Sequence, residues 1–339
     1  MKQVFLKHKI KAAPLANDFE IIDVERPACP EAGILVKLKY ISIDPYVGHL
    51  LNKGHMGHKP PAPGKGKIPA GIVGEVIESQ SNKAKKGDHI YATDGWWAEY
   101  NTFYDDQFTV VDTKAAPLSA YVGILGMPGL TAWASVTQLA RVQRGDVYAV
   151  NAAAGPVGGA CGQFARMKGA KTVIGIAGSP KKCKIVKELY GFDECVNYKT
   201  KTWKEKYKRS APEGITVHHE NVGSEQLAFA MQNLQPYGRV VLCGLAAHYH
   251  DTKPAKTLIG PMVGKRAQVS GLIVYDFYGR WDEFRSEVAP WVKSGKVTIA
   301  EDKVKGLKNA PKLMEKLMQG KNIGKCAVSY THLTLPTKA

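Results

Sequence analysis

Asp146-Val-Tyr-Ala-Val-Asn-Ala-Ala-Ala-Gly155-Pro-Val-Gly158-Gly-Ala-Cys-Gly-Gln-Phe-Ala-Arg166 is the stretch on which the reading of this chain turns. Val147 to Val150 is short and apolar, as a buried parallel strand is. A glycine-rich turn follows, then a run in which Cys161, Phe164, Ala165 and Met167 share one helical face. Thr172-Val-Ile-Gly-Ile-Ala177 supplies a second strand, which ends at Gly178-Ser179. Strand, glycine turn, helix, strand is the unit that binds a dinucleotide. A glycine there lets the backbone approach the pyrophosphate, and the helix N-terminus offers unpaired N–H groups and a positive dipole end. The G-x-G-x-x-G pattern is incomplete, because Ala153 stands where its first glycine would be. A lone Gly-x-x-Gly is equally a tight strand–helix turn; the surrounding order of elements selects the nucleotide reading.

The end of the second strand bears on which nucleotide. Sites for NAD place Asp or Glu there to accept hydrogen bonds from the ribose hydroxyls. Here the chain reads Ala177-Gly178-Ser179-Pro180-Lys181-Lys182, with no carboxylate before Glu188. A hydroxyl and two ammonium groups attract a 2′-phosphate that an acid would repel. The expected cofactor is therefore NADPH rather than NADH.

At 339 residues the chain exceeds one ordinary core, so two domains are expected. An apolar content of 44% with 23% charged residues is that of a soluble globular protein. The formal net charge of +17 comes largely from lysine clusters, including the aromatic-rich Tyr198 to Arg209. No nucleic-acid module frames that stretch, so it reads as a solvated surface; nucleic-acid binding on a nucleotide-fold scaffold is the contrasting reading from another class. The six cysteines, Cys29, Cys161, Cys183, Cys195, Cys243 and Cys326, are scattered without a Cys-x-x-Cys pair. That argues against a structural zinc site or a disulfide scaffold and fits a cytoplasmic protein. Met1 to Lys7 holds too short an apolar run for a signal peptide. Ala115 to Ala140 is uncharged, but its prolines, glycines and hydroxyls mark a buried helix and turn rather than a membrane span.

Residues 1 to about 115 read as an all-β region with loops, with period-two alternation from Ile34 to Ile43, in a first domain that runs to about 120. From 121 to 295 helix and strand patterns alternate, which implies a doubly wound parallel sheet. Residues 296–330 read as a return to the first domain, and 331–339 as an appended tail. His218-His219-Glu220 suggests a metal cluster at first sight, but neighbours on a strand face opposite ways and chelate poorly. No metal site is assigned.

Taken in order, Ser42-Ile-Asp-Pro-Tyr46, Gly126-Met-Pro-Gly-Leu-Thr131, Ala152 to Gly158, Gly178 to Cys183, Asn197-Tyr198-Lys199, Glu220 to Gly223, Cys243 to Tyr249, Gly271 to Val274 and Gly320 to Lys325 carry a likeness. The chain resembles the zinc-independent medium-chain dehydrogenase/reductases, and among them the NADPH-dependent alkenal, curcumin and prostaglandin double-bond reductases. The resemblance implies an α/β protein: a GroES-like β-barrel domain, a Rossmann domain, an active site in the cleft, no catalytic zinc and a homodimer. Near where the zinc branch carries Gly-His-Glu, this chain has Ala70-Gly71-Ile72-Val73-Gly74-Glu75, without a histidine. By position, Gly155, Pro156, Val157 and Gly158 would meet the pyrophosphate, and Gly178, Ser179, Lys182 and Tyr198 the 2′-phosphate. Asn221, Cys243, Gly244, Leu245, Leu272, Ile273, Val274 and Asn322 would line the cofactor cleft, with Met127 and Thr131 beside the nicotinamide. Tyr249, and next Tyr46, would be catalytic, donating to the developing enolate of an enal or enone substrate. A quinone reductase is the alternative on the same fold. The chain departs from the family pattern at Val47-Gly48, Trp133 and His250, near the implied substrate mouth.

Overall fold

The structure, a computed structural model, describes residues 1–251 and 255–330. It divides into two compact units, one of Met1–Gly126 together with the chain from Glu301 onward, the other of Met127–Ala300. The closing residues 331–339, read above as a tail, lie outside the described residues.

The first unit opens with β1 (Lys2–Leu6) paired antiparallel to β2 (Phe19–Asp23). Next come β3 (Gly33–Ser42), α1 (Pro45–Lys53), β4 (Pro69–Ser79), β5 (His89–Trp96), β6 (Tyr100–Tyr104) and β7 (Thr109–Val110). The alternation at Ile34 to Ile43 does produce a strand, and Val36, Leu38 and Ile41 are fully buried in its core.

The second unit begins with α2 (Met127–Trp133), which runs on into π-helical turns at Ala134–Leu139. The alternating series follows: β8 (Val147–Val150), α3 (Pro156–Met167), β9 (Thr172–Ala177), α4 (Pro180–Glu188), β10 (Glu194–Asn197), α5 (Trp203–Ser210) and β11 (Ile215–Glu220). It is completed by α6 (Ser224–Gln232), β12 (Leu234–Leu242), α7 (Gly260–Lys265), β13 (Gln268–Gly271) and α8 (Trp281–Lys293). All six strands are parallel, in the order β10-β9-β8-β11-β12-β13. The chain winds from β8 in one direction and then from β11 in the other, so β8 sits at the topological switch point where such sheets bind ligands.

The first unit is then completed by β14 (Glu301–Lys305), α9 (Ala310–Met318) and β15 (Lys325–Ser329). The main sheet runs β14-β15-β3-β4-β5-β7, with β6 also paired to β3, and only β14 and β15 are parallel. The fold class is thus the α/β class read from the sequence, with one antiparallel-rich unit and one doubly wound parallel unit.

One expectation fails. The region to about residue 115 reads as all-β in the sequence, yet α1 occupies Pro45–Lys53. Pro45 at its first turn has the φ a helix needs and no N–H to lose. Val47, Leu50 and Leu51 bury one face of α1 in the core. A nine-residue helix with glycine inside it is too short for its period to stand out in the sequence.

Lys325 ties β15 to the start of α1. Its ammonium donates to Asp44 Oδ1 at 2.6 Å and to the Ile43 carbonyl at 3.0 Å, with its side chain 1% exposed and that of Asp44 5%. Ser42 donates to the same carboxylate. Removing one partner leaves the other charge buried without compensation. Lys325→Ala is therefore expected to lower unfolding free energy by about 3–5 kcal/mol in urea titration. A loss within measurement error would show that this pair does not anchor α1.

Candidate nucleotide site

The site residues of the second unit gather at the carboxyl ends of its parallel strands. Gly155 to Gly158 follow β8, Gly178 and Ser179 follow β9, and Tyr198 follows β10. Asn221 follows β11, Cys243 to Tyr249 follow β12, and Leu272 to Val274 follow β13. That edge is where α/β sheets hold ligands.

At β8 the turn is set by Ala152, whose φ of 49° is left-handed. Gly155 is the N-cap of α3 and gives it no side-chain cap, so the N–H groups of Val157 and Gly158 in the first turn are not met by a capping side chain. A Cβ on Gly158 would lie 2.6 Å from the Ala152 carbonyl oxygen, whereas one on Gly155 would meet only that oxygen, at 3.2 Å. Gly158 is therefore required by the close packing of α3 on the turn, a reason the sequence reading had assigned to the ligand. Gly155 leaves the outer side of the turn open. Ala153, the missing first glycine, is fully buried, and its Cβ faces Gly175 of β9, where an added Cβ would stand 2.8 Å away.

At β9 the Ser179 side chain caps α4 by accepting the Lys182 N–H at 3.2 Å. Its hydroxyl proton remains for a further acceptor. The first turn of α4 carries no acid. Lys182 is half-buried. The Tyr198 ring lies against Gly178, where a Cβ would sit 3.0 Å from a ring carbon and 3.1 Å from the hydroxyl. The Tyr198 N–H donates to the Ala177 carbonyl, which holds the ring in this position.

At β11 the structure adds what the sequence reading missed. Glu220 is fully buried. Its Oε1 accepts the N–H groups of Val222 at 2.6 Å and Gly223 at 2.8 Å, and the Asn151 amide as well. Its Oε2 faces His218 Nε2 at 2.9 Å. Burial alone would raise this carboxyl, but hydrogen bonds from His218, Asn151 and the Gly223 N–H outweigh it and hold the group below the usual carboxylate range. Asn151 in turn accepts the Asn221 N–H at 2.7 Å, and its carbonyl accepts the Asn221 side-chain amide at 3.0 Å. Asn221 Oδ1 then faces His219 Nε2 at 3.1 Å, and His219 Nδ1 faces the Ser135 hydroxyl. This network assigns the proton of a neutral His219 to Nε2. His218 and Glu220 do share one face of the strand, but as an internal hydrogen-bonded pair. The available signal was a charged triplet ending an otherwise apolar central strand.

At β12 the backbone continues the same framework. The Cys243 and Gly244 N–H groups donate to the Glu220 carbonyl, and that of Ala246 to the Asn221 carbonyl, at 2.9–3.0 Å. Tyr249 is half-buried, and its hydroxyl lies over Gly244, where a Cβ would be 3.2 Å from it. Burial, then the neighbouring Cys243, pushes the phenol up to about 12, against a hydrogen bond from the Leu245 backbone. It stays a donor at neutral pH. Burial likewise pushes the Cys243 thiol up to about 12, with the Glu220 charge adding to the effect. Leu272 is buried and its N–H donates to the Leu242 carbonyl. Leu272 to Val274 thus lie just beyond β13, which ends at Gly271. Met127 opens α2, and the Thr131 hydroxyl donates to the Met127 carbonyl at 2.8 Å.

Two expected site residues belong to the first unit. Tyr46 lies in the first turn of α1 with its ring tilted against His55 at 5.4 Å, and His55 meets His49 edge-on at 6.4 Å. Asn322 is buried, with its amide donating to the Gly324 carbonyl at 3.1 Å. The departures from the family pattern have packing reasons. Gly48 faces Met318 of α9, whose sulfur would be 2.6 Å from an added Cβ. Trp133 is buried, and its indole N–H donates to Glu287 of α8 at 2.7 Å. Among the described residues, no three or more His, Cys, Asp or Glu side chains are grouped to hold a metal ion.

The buried His219 gives a pH dependence. Burial holds its pKa down at about 4, against 6.5 for an ordinary histidine. The unfolded chain therefore binds a proton that the folded one refuses, so stability is full above about 6.5 and falls as pH drops toward 4. Between pH 6.5 and 4.5 the wild type should lose roughly 1.4 kcal/mol per pH unit from this group. His219→Gln should flatten the slope in urea titrations, and an unchanged slope would place its origin elsewhere.

Comparison with known proteins agrees with this geometry. Residues 2–111 match the family "N-terminal domain of oxidoreductase", and residues 156–294 match "Zinc-binding dehydrogenase". The chain is 37% identical over 336 residues to the 2-alkenal reductase (NADP(+)-dependent) of Nicotiana tabacum, covering 96% of each. It is 31% identical to the NADPH-dependent curcumin reductase of Escherichia coli (strain K12), covering 93% of each. The crystal structure of CurA in complex with NADPH from Vibrio vulnificus matches with a TM-score of 0.89 at 30% identity, over 98% of this chain and 100% of that one. The chain belongs to the medium-chain dehydrogenase/reductase superfamily, on the branch that holds the 2-alkenal, curcumin and prostaglandin reductases.

Proposed function

We propose that the protein is an NADPH-dependent reductase of the carbon–carbon double bond of α,β-unsaturated aldehydes and ketones. The observation that carries this reading is Tyr249, a neutral phenol set over Gly244 at the carboxyl edge of the parallel sheet. The residues present also fit NADPH. The uncapped start of α3 and the open side of Gly155 suit a pyrophosphate. Ser179, Lys182 and Tyr198, with no acid in the first turn of α4, suit a 2′-phosphate. Asn221, Cys243, Leu245 and Leu272 to Val274 would flank the remainder, and Met127, Thr131 and Asn322 keep the roles the resemblance implies.

When bound, NADPH supplies the hydride that reaches the β-carbon of the substrate. The chain's part is electrostatic. As negative charge gathers on the substrate carbonyl oxygen, the Tyr249 hydroxyl donates a hydrogen bond to it, and a pre-aimed donor of this kind lowers the barrier more than it helps ground-state binding. Its raised pKa keeps the proton on the phenol throughout. Glu220 and Asn151 act through others, fixing Asn221 and the segment that bears Tyr249. The ribose hydroxyl of the bound nucleotide would be the second donor, and Tyr46, held on α1 beside His55, the next candidate.

We further propose that two copies pair through the second unit. β13 is the last strand of its sheet, and nearby Tyr237, Ile259 and Val263 are exposed by 69–72%. Light scattering should give twice the chain mass of 37.0 kDa; a monomer at micromolar concentration would refute the pairing. No helix among the described residues is long and apolar enough to cross a membrane, and the six thiols suit the cytoplasm.

Calorimetry and a panel of enals, enones and quinones followed by NADPH absorbance test the activity. NADPH should bind at least about 10-fold more tightly than NADH, and Lys182→Ala should remove most of that preference without weakening NADH. Tyr249→Phe should retain NADPH affinity and lower kcat on an enone by about 100-fold. Equal affinity for the two nucleotides would overturn the assignment at α4. An unchanged kcat would remove Tyr249 from the chemistry, and turnover of quinones alone would select the alternative activity.

A further inference from the structure

Two cysteines far apart in sequence meet in the second unit. Cys183 lies in α4, with its N–H donating to the Ser179 carbonyl at 3.0 Å. Cys195 lies on β10, opposite Gly175 of β9. Their sulfurs are 2.7 Å apart, with the Cys195 thiol donating to Cys183. Both residues are half-buried, unlike Cys161 and Cys326, which are enclosed. All six cysteines are thiols in this structure.

We propose that Cys183 and Cys195 form a reversible dithiol–disulfide pair, a modification site that a hydroperoxide oxidises and a dithiol reduces. Cys183 is the attacking sulfur. The hydrogen bond from Cys195 lowers its pKa and is the largest influence; burial and the Glu194 charge work against it, and Lys206 and Lys187 assist. Its place one turn into α4, among Lys182, Lys184 and Lys187, also favours the thiolate. Cys195 holds its proton, pushed up by that same contact and by burial, and is the resolving thiol.

The steps balance. The Cys183 thiolate attacks one peroxide oxygen; an S–O bond forms, the O–O bond breaks, and the departing hydroxide takes a proton to leave as water. Cys183 is thereby oxidised by two electrons to a sulfenic acid, and the peroxide is reduced. Cys195 loses its proton and attacks the Cys183 sulfur; the S–S bond forms, the S–O bond breaks, and a second water leaves. One peroxide and two thiols become one disulfide and two waters. Because the sulfurs already touch, the bond closes with little movement of α4 or β10, and it constrains the unfolded chain between them.

Lys182 adjoins Cys183, and Tyr198 is three residues beyond Cys195. The bond would therefore pin together the two segments assigned to the 2′-phosphate, and only this last point rests on the nucleotide reading. The test needs no nucleotide, so it can fail or succeed independently of that reading. The full chain is treated with hydrogen peroxide at a few molar equivalents, quenched, and analysed by intact mass, thiol titration and peptide mapping.

The oxidised protein should be lighter by two hydrogen atoms, lose two of its six thiols, give one cross-linked peptide joining 183 to 195, and return to the starting mass with dithiothreitol. Its melting temperature should exceed that of the reduced form by several degrees. Cys195→Ser should instead accumulate a sulfenic acid on Cys183 that a dimedone probe traps, and Cys183→Ser should show neither change in mass nor shift in melting at the same dose. Oxidation of Cys183 to the sulfinic acid with Cys195 still a thiol, or a cross-link between other cysteines, overturns the proposal. So does an oxidised form that melts no higher than the reduced one.

Discussion

A single carboxylate withdrawn from water organises the carboxyl edge of the parallel sheet. Glu220 has no solvent contact and receives hydrogen bonds from Val222, Gly223, Asn151 and His218. An ionised group in such a place is tolerated only when nearly every lone pair has a donor. That demand fixes the backbone after β11, and the carbonyl of the same residue fixes the start of the segment after β12. Asn221, Gly244 and Tyr249 are therefore placed by one buried charge, although none of them touches its carboxylate.

The parallel unit was legible in the sequence because its signals are local. Apolar runs of strand length, a glycine turn and amphipathic helices recur in a fixed order, and Trp281–Lys293 forms the helix its pattern implies. The antiparallel-rich unit was less so. Its α1 escapes notice because Pro45–Lys53 is only nine residues long and carries a glycine inside it.

The candidate site was legible where backbone geometry sets residue type, as at Gly155 to Gly158, or where charge does, as at Ser179 to Lys182. It was illegible where the partners lie far apart in sequence. Asn151 and Glu220, Ser135 and His219, and Cys183 and Cys195 come together only when the strands are ordered β9-β8-β11 or β10-β9. The residues that differ from the family pattern also needed the packing. Gly48 lies against Met318 and Trp133 bonds to Glu287, partners far away in sequence.

The displaced glycine beside the nucleotide turn has a consequence for how such sequences are recognised. Ala153 puts a methyl group where the familiar fingerprint has none, and Gly175 on the adjoining strand gives up the matching methyl. Val186 stands equally close to that position, so Gly175 yields to two neighbours at once. In this chain part of the requirement for close approach falls on the adjoining strand, where a pattern written in consecutive letters cannot register it.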